Sequence, residues 1–261
     1  MASRRWMETV KRTHLLPAAL LAAVSFLSAS PLAMAADPCK PYSFEGNAYT
    51  LCEAPLSRFS LRLYWRKPDG APYSYLSALP KKDAAGGRLV FAFNGGMFHP
   101  DYSPVGLYIE DGQEFVRANT RAGPGNFHLK PNGVFYFSES EAGVMETGAF
   151  LKKKPKASFA TQSGPMLVID GKLHPRLARA NVSAKARDGV CVRDGVVLFA
   201  ITEGEAPFDT FERLFRDGLK CKNALFLDGG SAPALYAPPS KSGNSLLGLG
   251  PLVAVYEKAK R

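Results

Sequence analysis

FAFNGGMFHP, residues 91–100, sets the reading of this chain. The apolar run RLVFAF (88–93) ends on Asn94 and meets Gly95-Gly96, then a polar turn holding His99. NALFLDGGSAP (223–233) repeats the design, with Asp228 followed by Gly229-Gly230. A strand that ends on a carboxamide or carboxylate holds that group rigidly. The glycines after it permit positive φ, let a ligand approach the backbone closely and can turn two N–H groups toward an oxyanion. A plain tight turn, or an Asx turn at Asp228, is the competing explanation. The repetition favours a site, and Asn94, Gly95, Gly96, His99, Asp228, Gly229 and Gly230 are its first candidate residues.

Working outward, apolar segments rich in Val, Phe, Tyr, Leu and Ile recur at 48–53, 59–65, 88–93, 105–110, 133–137, 165–169, 190–193, 196–201, 223–227 and 251–256. Each is short and bounded by Asp-Gly, Asn-Gly or Pro, which reads as strand. Asp111-Gly112, Asp170-Gly171 and Asp194-Gly195 are hairpin turns and imply antiparallel pairing. One helix is expected, capped by Asp209-Thr210, with Phe208, Phe211, Leu214, Phe215 and Leu219 on its apolar face and Gly218 near its end. A second, weaker helical pattern covers 74–82. The fold class is α+β: a single domain, mainly antiparallel or mixed β-sheet, with few helices.

Residues 1–12 carry Arg4, Arg5, Lys11 and Arg12 against Glu8; an apolar stretch, Leu15 to Leu32, then leads to Ala33-Met34-Ala35. This pattern predicts a secretion signal over 1–35 and a domain over 36–261, periplasmic or secreted, with no stable membrane span once the signal is removed. The whole chain has 33 Lys and Arg against 23 Asp and Glu; without the leader's four bases and one acid, a net charge of +7 remains. No basic repeat or aromatic-interleaved patch accompanies it, which argues against nucleic acid and for anionic small substrates or a cell surface. The densest run, Lys152-Lys153-Lys154-Pro155-Lys156, reads as a solvated loop. Cys39, Cys52, Cys191 and Cys221 form an even set in an exported chain, which argues for disulfides. Three pairings exist, and proximity in sequence favours Cys39–Cys52 with Cys191–Cys221.

Further candidates precede or end strands. Thr161-Gln162-Ser163 clusters three hydrogen-bonding side chains before Gly164-Pro165. Binding suits Gln162 and Ser163 better than nucleophilic attack, because no G-x-S-x-G surrounds the serine. Arg187 sits in a polar stretch entering a strand, and its planar fork suits phosphate oxygens. Glu203 ends the strand VVLFAIT and could pair with Asp228 as the two carboxylates of glycosidic-bond cleavage. His99, His128 and His174 lack metal-ligand spacing. Carboxylates near carbonyl-rich turns suit calcium or magnesium, but nothing in the spacing requires a cofactor. Asn181-Val182-Ser183 also fits a glycosylation sequon.

NGGMF, NFHLKPNGVFY, QSGPMLVIDGKLHP, RDGVCVRDG, the LFRD-to-LDGG unit and LDGGSAPALY resemble, in order, the phosphodiester glycosidase domain, over about residues 45–256. The resemblance implies a single α+β domain that hydrolyses a sugar joined through its anomeric carbon to a phosphodiester. Its motif positions fall on Asn94, Gly95, Gly96, Gln162, Ser163, Gly164, Arg187, Asp228 and Gly229. Ser231-Ala232-Pro233 departs from it, standing where the family often has a third glycine or two serines. On this reading Asp228, Glu203 and Arg187 are catalytic. The partner is an anionic sugar phosphate or cell-envelope glycan. Two rival readings are a non-catalytic carbohydrate or cell-wall binding module, using Tyr102, Tyr136 and Tyr236, and a phosphodiesterase that cuts P–O bonds.

Overall fold

The computed structural model describes residues 37–177, 184–238 and 247–259. The expected secretion signal and the sequon at Asn181 lie outside the described residues. In chain order the strands are β1 (Cys39–Phe44), β2 (Asn47–Pro55), β3 (Phe59–Tyr64), β4 (Arg88–Asn94), β5 (Tyr108–Glu110), β6 (Gln113–Val116), β7 (Gly133–Phe137) and β8 (Ala142–Glu146). They continue as β9 (Phe159–Ser163), β10 (Met166–Ile169), β11 (Lys172–Leu173), β12 (Arg187–Arg193), β13 (Val196–Thr202), β14 (Ala224–Gly229), β15 (Leu235–Tyr236) and β16 (Leu252–Glu257). Helices α1 (Thr147–Lys153) and α2 (Phe208–Arg213) are short, so the domain is α+β and dominated by sheet.

All the pairings are antiparallel, and they build three sheets: β1-β2-β13-β12-β14-β10-β11, β15-β4-β16-β3, and β6-β5-β9-β7-β8. The reason lies in the turns. Asp111-Gly112, Asp170-Gly171 and Asp194-Gly195 all take positive φ at both residues, the geometry of a two-residue hairpin.

Alternation along β13 shows how the first sheet is buried on both faces. Val197, Phe199 and Ile201 enter the main core, while Leu198 and Ala200 face the core under α2. Phe199 stacks on Phe93 of the second sheet at 5.0 Å and meets Phe135 of the third edge-on at 5.9 Å. One phenylalanine thus joins three sheets, and burying such a side chain contributes about 1.5–3 kcal/mol. On the opposite face Phe208, Phe211, Leu214, Phe215 and Leu219 are all buried, as their helical spacing requires.

Several local expectations change. The pattern at 74–82 gives only a single 3₁₀ turn, Leu76–Ala78, because Pro80 drives Leu79 to extended backbone. Asp209 does not cap α2; Pro207 occupies that position, and Asp209 sits in the first turn with its carboxylate 3.2 Å from Arg213. Thr161-Gln162-Ser163 belongs to the end of β9 rather than to a turn, and Lys152 and Lys153 close α1 rather than lying in a loop. The strands β1, β6, β8, β9, β11 and β15 carry no clear apolar run of their own. Cys39–Cys52 and Cys191–Cys221 are both disulfide-bonded; the first joins directly opposed residues of β1 and β2. Among the described residues no helix is long and apolar enough to cross a membrane.

Candidate active site

The two Gly-Gly strand ends meet. Asn94, at the end of β4, accepts a hydrogen bond from the Ala234 N–H at 2.9 Å, six residues beyond Asp228. Pairing of β15 with β4 continues that contact through Leu235 and Phe93. Ser163 ties the ends from below: its hydroxyl donates to the Leu227 carbonyl at 2.6 Å and accepts from the Met97 N–H at 3.3 Å. Ser163 is fully buried in this bridge.

At the centre lies a residue the sequence reading passed over. Asp188 of β12 is completely buried and stands directly opposite Asp228 of β14. The Asp228 N–H donates to Asp188 Oδ1 at 2.9 Å, and the Asn94 side chain lies beside the same carboxyl group. Asp188 Oδ2 is buried without a hydrogen-bond partner. Burial first, and the neighbouring Asp228 charge second, push the Asp188 carboxyl well above the usual range. Asp228 is half-buried, accepts from the Gly229 N–H at 2.8 Å, and is raised by burial to about 6. The site therefore offers a carboxylate that titrates near neutrality, backed by a second carboxyl whose ionisation burial and the neighbouring charge oppose.

A bulge creates this juxtaposition. Val190 faces Leu225 and Gly189 faces Phe226, but Asp188 faces Asp228 because Leu227 is an extra residue in β14. Such an insertion resets which side chains share a face. Both aspartates lie within short sequence signals, RDG and LDGG; what was missing was their pairing across 40 positions.

The other expected site residues divide. The Gly95 N–H donates to the Pro251 carbonyl at 2.7 Å and the Gly96 N–H to Thr161 Oγ1 at 3.2 Å, so these amides bind the frame rather than face an oxyanion. Close approach is why glycine is needed at 96: an added Cβ would lie 2.3 Å from the Gln162 carbonyl oxygen. The Gln162 amide is likewise committed. Its oxygen accepts from the Leu107 and Asn119 N–H groups, and its nitrogen donates to the Asn119 carbonyl and to Thr147. It is 1% exposed and clips the third sheet together.

Arg187 is also buried, with its guanidinium 3.5 Å from the centre of the Phe208 ring and Nε donating to the Ala206 carbonyl at 2.7 Å. Its register partner is Gly229, but it faces Phe208 and Phe226, across the sheet from Asp188. Burial lowers it to about 10, which leaves it cationic at neutral pH. Glu203 is not the partner of Asp228. Strand β12 stands between them, two strand spacings or about 10 Å, and Glu203 instead accepts a hydrogen bond from Thr50 beside the β1–β2 hairpin.

Gly230, with φ +70°, donates to the Ala186 carbonyl at 3.0 Å and turns the chain outward. Ser231 and Ala232 then line a cavity of about 390 Å³ with Phe98, His99, Tyr102 and Leu247. His99 is exposed and is the only basic side chain in that lining among the described residues. The cavity is thus walled by the chain following each Gly-Gly pair. Of the aromatics expected to carry sugar, Tyr102 is here, while Tyr136 is buried against Phe150. Among the described residues no three His, Cys, Asp or Glu side chains are grouped to hold a metal ion.

Three sheets converging on a buried carboxyl pair define a class as well as a geometry. Residues 87–251 match the phosphodiester glycosidase family, and this chain belongs to that family. An uncharacterized protein of Escherichia coli, YigE, is 36% identical over 170 residues; the match covers 65% of this chain and 66%, just under two thirds, of that protein. The catalytic domain of zebrafish N-acetylglucosamine-1-phosphodiester alpha-N-acetylglucosaminidase, solved in a form auto-inhibited by its pro-peptide, shares the fold. Its TM-score is 0.53 at 14% identity, over 84% of this chain and 81% of that one. A putative exported protein of Burkholderia pseudomallei gives 0.51 at 11% identity, over 80% and 74%.

Proposed function

We propose that this protein is an exported hydrolase that cleaves a sugar–phosphodiester linkage at the anomeric carbon. The observation that carries the reading is the Asp188–Asp228 pair at the junction of the two Gly-Gly strand ends. A phosphate departs from an anomeric carbon as a stable anion, so the leaving group needs little proton transfer. The demand falls on stabilising an oxocarbenium-like sugar and delivering water or a nucleophile to it. Asp228 has the required character: half-exposed, rigidly held, and ionised above about pH 6. Asp188 holds the Asp228 backbone in place beside Asn94, and the upward shift of its own carboxyl disfavours a second negative charge there. The cavity beyond Ser231 would take the substrate, with His99 meeting the phosphate and Tyr102 the sugar. Two disulfides fit an oxidising compartment, in keeping with export.

Hydrolysis of a nitrophenyl ester of a sugar 1-phosphate in isotopically labelled water tests the reaction. Label in the sugar supports the proposal. Label in the phosphate establishes P–O cleavage instead, and no turnover alongside measurable binding leaves the binding-module reading. The same assay with and without a chelator decides whether calcium or magnesium takes part. The value of kcat/KM should rise with pH through a midpoint near 6, because Asp228 must lose its proton to act. A profile falling through that point would assign Asp228 the opposite, acid role.

A further inference from the structure

A second groove, outside the carboxyl pair, gathers charge that the proposed reaction leaves unused. It has a volume of about 580 Å³, and its lining includes Val144, Met145, Ile169, Lys152, Lys153 and Asn223. Its floor is apolar; its rim is basic. Lys152 and Lys153 project from the last turn of α1. Lys172 stands directly opposite Ile169 in the β10–β11 pair, and directly opposed residues share a face. Lys222 precedes Asn223, and its carbonyl accepts from the Gly171 N–H at 2.8 Å, fixing it at the same turn.

All four lysines are exposed, and among the described residues none forms an ion pair. Two acids share the groove. Glu146 is engaged at the start of α1, where its carboxylate accepts from the Ala149 N–H at 2.8 Å, and Asp170 occupies the hairpin turn. Lys154 and Lys156 follow in the chain, so bases still outnumber acids around the groove.

We propose that this groove is an accessory site for a linear, phosphate-bearing glycan. Lysine ammonium groups suit phosphate as mobile point charges, and the Asn223 side-chain nitrogen beside them, its oxygen already accepting from the Asp170 N–H at 3.0 Å, can donate to hydroxyls. The groove is concave and, among the described residues, its lining holds no aromatic side chain, which fits a polymer strand rather than the flat surface of a bilayer. The site stands independently of the reaction proposed above. Bound there, a long anionic chain would be retained on the protein between encounters with the carboxyl pair.

The test measures binding of phosphorylated dextran, neutral dextran and phosphatidylglycerol vesicles to the intact protein. Phosphorylated dextran should bind with an affinity that falls as salt rises, and neutral dextran should bind far less. Replacing Lys152, Lys153 and Lys172 together with Gln should weaken that binding by about tenfold or more, since each loses a charge at the contact. Lys40, Lys67 and Lys82 changed to Gln remove the same net charge elsewhere and should leave most of it. Asp228→Asn should bind as the parent does, which separates this groove from the active site. Equal loss in the two triple variants, equal binding of neutral dextran, or loss of vesicle binding alone would overturn the proposal. Five of the six lysines are exposed and Lys67 is half-buried, and an unchanged Tm confirms that the variants are folded.

Discussion

The two Gly-Gly strand ends share a sequence pattern and do different work. At Asn94 the end is sealed: the side chain, both following amides and Gly96 itself are consumed in contacts with Ala234, Pro251 and Thr161. At Asp228 it is half open, with Gly229 half-buried and Gly230 exposed. The sealed end supplies rigidity and the open end supplies reactivity. Glycine after a strand thus marks close approach, whether of a ligand or of the protein's own backbone.

The largest expected effect tests the open end. Asp228→Asn should lower turnover of a sugar phosphodiester by about 10²- to 10⁴-fold, the range for removing a general base or acid, with circular dichroism unchanged. A variant that is folded and fully active would remove Asp228 from the mechanism. The sealed end should respond in stability instead. Gly96→Ala places a Cβ 2.3 Å from the Gln162 carbonyl oxygen and 2.6 Å from Thr161 Oγ1. It should destabilise the fold by about 1–3 kcal/mol, as overpacking does, read as a lower Tm.

A third test asks what reactivity costs the open end. The Asp228 carboxyl is raised in the folded protein from 3.8 to about 6, so the folded state binds more protons than the unfolded one between those values. Stability contributed by the protonated form is complete below about 4 and is lost as pH rises through 6. Asp228→Asn should therefore match the parent in Tm at pH 4 and exceed it at pH 8. A difference that does not change with pH would mean that Asp228 is solvated in the folded state. The smallest effect belongs to Gly230→Ala. Its φ of +70° is unfavourable for alanine, but nothing lies within 4 Å of the added Cβ. About 1 kcal/mol of strain is expected there, less than at Gly96, and a reversal of that order would break the distinction between the two ends.

Legibility in the sequence followed the range of the interactions involved. The strands around Phe91, Phe135, Phe199 and Phe226 carried their own apolar runs, and the Asp-Gly hairpins their own turn chemistry. Short strands such as β1 and β15 hold few buried side chains and take their form from partners, so local propensity missed them. The site was half visible for the same reason. Asn94 and Asp228 stood out because each ends an apolar run at glycine. Arg187 was noticed but its direction was not, since alternation sends it toward Phe208 while its neighbour Asp188 turns to Asn94. Glu203 had the right chemistry at a strand end, one strand too far from Asp228.

Local residue pattern was enough to specify the antiparallel α+β class, the hairpins, the apolar face of α2 and, through the order of its motifs, the family. Those properties depend on a few neighbouring residues and on period. That Asp188 is the partner of Asp228, and that of two matching strand ends one is closed and one open, emerges only when the sheets assemble. The physical reason is register. Which side chains share a face depends on pairing across 40 positions and on the one extra residue at Leu227, and a single-residue shift exchanges the buried face for the other.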